Sequence, residues 1–128
     1  MAVLREYRIG GDGAITALAI SDDGEWIAAA AGGRGEGDEN CLLLAKFGRD
    51  VVWEASAEGL PVDLAFLPEQ AGLAMAIGDR IVCQNLESNL LWEASLDYRA
   101  WTLAVAPGGG ELMAGTIGGG AFRFDLQG

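Results

Sequence analysis

The sequence predicts an all-β fold made of one unit of about 40 residues used three times. Three observations carry that reading. The string Trp-Glu-Ala-Ser stands at Trp53–Ser56 and again at Trp92–Ser95, 39 positions later (53 to 92). Short apolar or alternating runs, bounded by Gly, Pro, Asp and Asn, recur in the same order around each copy. No segment sustains a helical period; Trp26–Ala31 and Leu73–Ile77 are too short for helices.

The elements follow in chain order. Val3–Ile9 is the first strand, with Tyr7 in the place that Trp53 and Trp92 hold later. The alignment rests on a leucine eleven positions on: Leu18 after Tyr7, Leu64 after Trp53, Leu103 after Trp92. Tyr7 to Trp53 is seven residues longer than Trp53 to Trp92, and the excess falls in the Gly-rich acidic stretch Gly32–Asn40, a loop insertion. Matching apolar segments precede each Trp, at Cys41–Phe47 and Arg80–Leu86, and a third copy, Gly120–Leu126, follows them. The middle unit reads as four strands, Pro61–Leu67, Gly72–Ile77, Arg80–Leu86 and Leu90–Ala94. Ser21-Asp22-Asp23-Gly24 and Pro107-Gly108-Gly109-Gly110 read as tight reversals, and Gly78-Asp79 and Gly118-Gly119 as hairpin connections. The alanines at 28–31, 74 and 76 are small side chains for sheets that stack face to face.

A period near 40 with four strands per unit is the mark of a β-propeller blade. The units ALAISDDGEWIAAAAGG…CLLLAKFGRDVVWEAS and TLAVAPGGGELMAGTIGGGAFRFDL resemble blades of the WD40 and PQQ-like (quinoprotein-type) propeller superfamily. Leu90–Trp92 is closer to the PQQ-like and the archaeal or bacterial repeats than to eukaryotic WD40. The Gly-His and Trp-Asp dipeptides are missing, and without histidine the hydrogen-bonded WD40 tetrad cannot form. The resemblance covers nearly the whole chain and implies a fold; propellers host many unrelated functions.

The expected organisation is one domain, 1–128: a strand at 3–9 that completes a partner chain's blade, then blades at 14–56, 57–95 and 96–128, the last without its outer strand. A ring of three blades would ask each wedge to turn about 120°, which flat sheets packed about 10 Å apart cannot do. Known rings use about 4 to 8 blades. The sequence therefore predicts a homodimer with six blades, closed when Val3, Tyr7 and Ile9 of each chain pair beside Phe122 and Phe124 of the other. Arg5 and Glu6, standing where Val51-Val52 and Leu90-Leu91 stand, suit an outermost strand. The alternative is a fragment of a larger propeller protein.

Composition narrows the partners. The formal net charge is −11, with 8 basic against 19 acidic residues, which argues against nucleic acid and against anionic membrane surfaces. No apolar run reaches the roughly 18 residues of a membrane span. MAVLREYRIG lacks the apolar core of a secretory signal, so a cytoplasmic protein is expected, with Cys41 and Cys83 as reduced thiols.

Candidate chemistry is sparse, and no catalytic, cofactor or metal residue is assigned. The absence of His removes the commonest general base and metal ligand, and leaves Ser56 and Ser95 without a base partner. The loop holding Arg34, Glu36 and Asp38 carries oxygen ligands of the kind Ca²⁺ prefers, but without EF-hand spacing. Gly32-Gly33-Arg34-Gly35 is followed by neither a helix nor Lys-Ser/Thr, so it is not a phosphate loop. Asp63, on an inner strand where Ala17 and Thr102 are the sister residues, is expected on the channel wall, bonded to water. The candidate recognition rim is Asp97, Tyr98, Arg99 and Trp101 with Arg34, Glu36 and Asp38, since Tyr, Trp and Arg dominate interface hot spots. The competing reading makes Trp101 a cap on the adjoining blade, with Tyr98 packed on it. The expected function is a non-catalytic interaction or scaffold module with no cofactor, whose acidic rim holds a basic protein or peptide. The alternative is a ligand-binding or enzymatic propeller acting at the channel mouth.

Overall fold

The computed structural model describes residues 14–32, 40–46, 51–57, 59–68, 72–106 and 110–125. Among the described residues eleven strands form three antiparallel sheets, each in simple up-and-down order. The first sheet is β1 (Ile15–Ile20), β2 (Trp26–Ala31), β3 (Asn40–Lys46) and β4 (Val51–Ala57). The second is β5 (Pro61–Leu67), β6 (Gly72–Ile77), β7 (Arg80–Gln84) and β8 (Leu90–Ser95). The third is β9 (Ala100–Val105), β10 (Glu111–Thr116) and β11 (Ala121–Asp125). The expected boundaries hold to within two residues, and β5 and β6 hold at both ends. The strand expected at Val3–Ile9 lies outside the described residues.

Turn chemistry sets the reversals. Between β1 and β2 the Ser21 hydroxyl accepts from the Trp26 amide at 2.9 Å and donates to Asp23 Oδ1, which also accepts from the Glu25 amide. Gly78 opens the β6–β7 turn at φ 59°, a left-handed conformation that a side chain would strain. Between β7 and β8, Asn85 Oδ1 accepts from the Glu87 and Asn89 amides, both at 2.9 Å. That double bond to one side chain holds Ser88 at φ 73°, a conformation uncommon for a non-glycine residue.

The sheets stack in chain order, with β1 against β5 and β5 against β9. Each seam sets small residues against large ones. Ala17, Ala19, Ala28 and Ala30 of the first sheet meet Leu64, Phe66, Leu73 and Met75 of the second, with Leu42, Leu44 and Trp26 completing the cluster. On its other face the second sheet offers Ala74, Ala76, Ile81 and Cys83 to Leu103, Val105, Leu112 and Phe122 of the third. Trp92 meets Phe124 across this seam, ring centroids 5.6 Å apart. The alanine runs are thus strand residues that let sheets approach closely, as their composition predicts.

Hydrogen bonds tie the inner strands across the seams. Thr16 Oγ1 donates to the Pro61 carbonyl at 3.0 Å. Asp63 Oδ2 accepts from the Leu103 amide at 2.6 Å and from Thr102 Oγ1 at 3.3 Å, while Oδ1 accepts from the Leu64 amide. Asp63 therefore differs from the water-bonded wall residue expected. Its carboxylate closes against β9, bonded to the Leu103 amide across the seam.

The seams generate three predictions. Asp63→Ala leaves the Leu103 amide without its charged acceptor and is expected to lower unfolding free energy by about 1.5–3 kcal/mol, read by urea denaturation. Asp63→Asn keeps a neutral acceptor and is expected to lose less. Burial pushes the Cys83 thiol up to about 12 from an ordinary 9.0. The thiolate is the reactive form, so Cys83 is expected to resist iodoacetamide at pH 8 in the native protein and to alkylate in urea, read by peptide mass spectrometry. The same shift predicts that stability falls as pH rises from about 9 toward 12, because the unfolded thiol ionises there before the folded one.

Candidate functional site

A recess opens where the second and third sheets meet. Its walls come from the lead into β5 (Gly59, Leu60, Val62), the β6–β7 hairpin (Ile77, Gly78, Asp79, Arg80), and Arg99 and Trp101 at the start of β9. The volume is about 480 Å³, within the range of small-molecule sites. Val62 reaches the recess because β5 bulges between Pro61 and Asp63 in its pairing with β6.

Backbone bonds fix the loop that supplies Arg99. The Leu96 amide donates to the Asp79 carbonyl and the Ala100 amide to the Gly78 carbonyl, both at 2.7 Å. On the other side, the Ile117 amide donates to the Arg99 carbonyl at 3.1 Å. Residues 97–99 are therefore slung between the β6–β7 and β10–β11 hairpins, one from each sheet. Tyr98 lies flat over Gly118, where a Cβ would come within 2.8 Å of the ring.

The expected rim residues divide among three environments. Arg99 and Trp101 line the recess, Trp101 with 60% of its surface exposed. Tyr98 is 55% exposed and packs on Gly118, not on Trp101; Asp97 is exposed and outside the recess. The competing expectation for this pair, Tyr98 packed on Trp101, is thus replaced by a contact with the next hairpin. Arg34, Glu36 and Asp38 lie outside the described residues, as do Val3, Tyr7 and Ile9. Phe122 and Phe124, expected at the closing edge, pack inward against the second sheet. Their strand β11 is an edge of the third sheet among the described residues.

Sequence reasoning missed the partners of Arg99 in this recess. Leu60, Val62 and Ile77 read as ordinary strand and loop residues, and Asp79 as half of a two-residue turn. Their convergence depends on how the sheets stack, some 20 to 40 positions apart in the chain. Charge in the recess is mixed. Arg80 Nη1 is bonded to Glu93 Oε1 at 2.7 Å, while the side chains of Asp79 and Arg99 form no ion pair among the described residues. Among those residues no group of three metal-ligating side chains gathers anywhere.

No family model matches the sequence, and no curated protein matches it. Among solved structures the chain is similar to Kuenenia stuttgartiensis hydrazine synthase, with a TM-score of 0.71 and 16% identity. The match covers 88% of this chain and 34% of that one, so the chain spans about a third of the length of the structure it resembles. At that identity the likeness is one of fold: three stacked antiparallel sheets in an all-β chain.

Proposed function

We infer that the chain is a non-catalytic interaction module built from propeller-type blades, and that two copies close a six-bladed ring. One observation carries this reading. Leu18 and Ile20 on β1 are 64% and 61% exposed, although their counterparts in the later sheets, Leu64 and Phe66, are 4% and 8% exposed. Leu103 and Val105 in the third sheet are likewise packed into a seam. The exposed part of this face is its β1 margin; Ala29, Ala31, Leu43 and Ala45, on the same face of β2 and β3, are buried.

The occupant that fits is the far end of a second copy. The outward face of the third sheet carries Thr102, Ala104, Met113, Gly115 and Ala121 together with Asp125 and the Glu111–Arg123 ion pair, neighbours through the β9–β10 and β10–β11 pairings. Small residues at 104, 115 and 121 reproduce what Ala17, Ala19, Ala28 and Ala30 offer inside the chain. Joining the two ends twice, by a two-fold axis, buries both faces and cannot propagate into a filament. Exchange of residues 3–9 onto the β11 edge would complete the third blade. The rim, in a chain of net charge −11, suits a basic protein or peptide. The lack of histidine supports a binding role over an enzymatic one.

Light scattering coupled to size exclusion tests the assembly. The expected mass is about 27 kDa, twice the 13.3 kDa chain. Leu18→Asp with Ile20→Asp places charge on the apolar face and is expected to give a folded species near 13 kDa. A wild-type protein that runs as a monomer at micromolar concentration overturns the ring.

A further inference from the structure

The geometry points to the rim recess as a binding site for a free apolar α-amino acid, a zwitterion with an apolar body. Two unpaired charges of opposite sign line the same recess. Asp79 stands on the hairpin wall and Arg99 on the loop wall, and no ion pair joins them or links either to another described side chain. The other cation of the recess, Arg80, is already engaged by Glu93 at 2.7 Å. What remains is Asp79 and Arg99 in a lining shared with the apolar Leu60, Val62, Ile77 and Trp101.

That arrangement selects chemistry. An ammonium group pairs with Asp79, a carboxylate takes the planar donors of Arg99, and an aliphatic or aromatic side chain covers the indole of Trp101. Neither a simple anion nor a simple cation uses both walls. A free amino acid carries both charges on adjacent atoms beside one apolar group, and about 480 Å³ holds the largest of them.

The site is also held in shape before any ligand arrives. The bonds from the Leu96 amide to the Asp79 carbonyl and from the Ala100 amide to the Gly78 carbonyl fix the charged walls relative to each other. Preorganisation of this kind removes the ordering cost that otherwise weakens small ligands. The lining comes from one chain, so the site does not depend on the two-chain ring.

The test uses the purified wild-type chain and three probes: L-phenylalanine, phenylacetate, which lacks the ammonium, and phenethylamine, which lacks the carboxylate. Amide shifts of Gly78, Asp79 and Arg99 and the indole N–H of Trp101 are followed by ¹H–¹⁵N NMR. Phenylalanine is expected to saturate these shifts and to bind roughly two- to fivefold more tightly than either truncated probe, the range for solvent-exposed charge pairs. Asp79→Asn is expected to make phenylacetate as good as phenylalanine, and Arg99→Gln to do the same for phenethylamine. Both residues are exposed and hold the loop through their backbone, so the variants are expected to fold. Absence of a saturable shift with phenylalanine overturns the proposal. So does equal binding of the three probes to the wild-type chain, a comparison that needs no variant.

Discussion

A sheet inside a stack has two faces and must satisfy a different neighbour on each. That constraint organises the whole chain. Each seam sets alanines against larger side chains, with Leu42, Leu44 and Ile81 filling in from the alanine-bearing sheets, because two wholly large faces would hold the sheets apart and two wholly small ones would leave voids. The alternation along each strand then has a direction. In β1, Ala17 and Ala19 point toward the next sheet, and Leu18 and Ile20 point away from it. In β5, Leu64 and Phe66 point back toward the first sheet. The two outer faces of the stack are mixed: Leu18 and Ile20 share theirs with Ala29 and Ala45, and Ala104, Gly115 and Ala121 share theirs with Glu111 and Arg123.

The same constraint explains why the fold was largely legible in the sequence. Recurrence of Trp-Glu-Ala-Ser and of the leucine eleven positions later sets the period, and strand edges follow from the turn residues. Alanine-rich strands are told from helices by their short length between turns, and in the stack their side chains fall to near-zero exposure. The hydrogen bonds across the seams were not legible. Asp63 and Leu103 are 40 positions apart, and nothing local marks the carboxylate as an acceptor for a neighbouring sheet's amide. Periodicity names the strands; it does not say which lateral contact an inner-strand polar group will choose.

The rim shows the same limit in another form. Arg99 and Trp101 could be named from residue type, yet what they face is set by the β5 bulge and by the β6–β7 hairpin. Tyr98 illustrates the point well. It was a candidate for stacking on Trp101, but Gly118 offers a flat surface with no Cβ in the way, and the ring lies there instead. Tyr98 and Trp101 are thus both more than half exposed, one over Gly118 and the other in the recess.

Stability and recognition are thus separated along each strand. The seams are apolar, crowded and tied by the Thr16 and Asp63 bonds, so a substitution there is felt across two sheets. The rim loops contribute few side chains to those seams and hang on backbone bonds that any residue can make. Their side chains are consequently free to vary in charge and shape without loosening the stack. Arg99 and Asp79 stand in such positions: each lends its carbonyl to the frame, and each keeps its charge for whatever enters the recess.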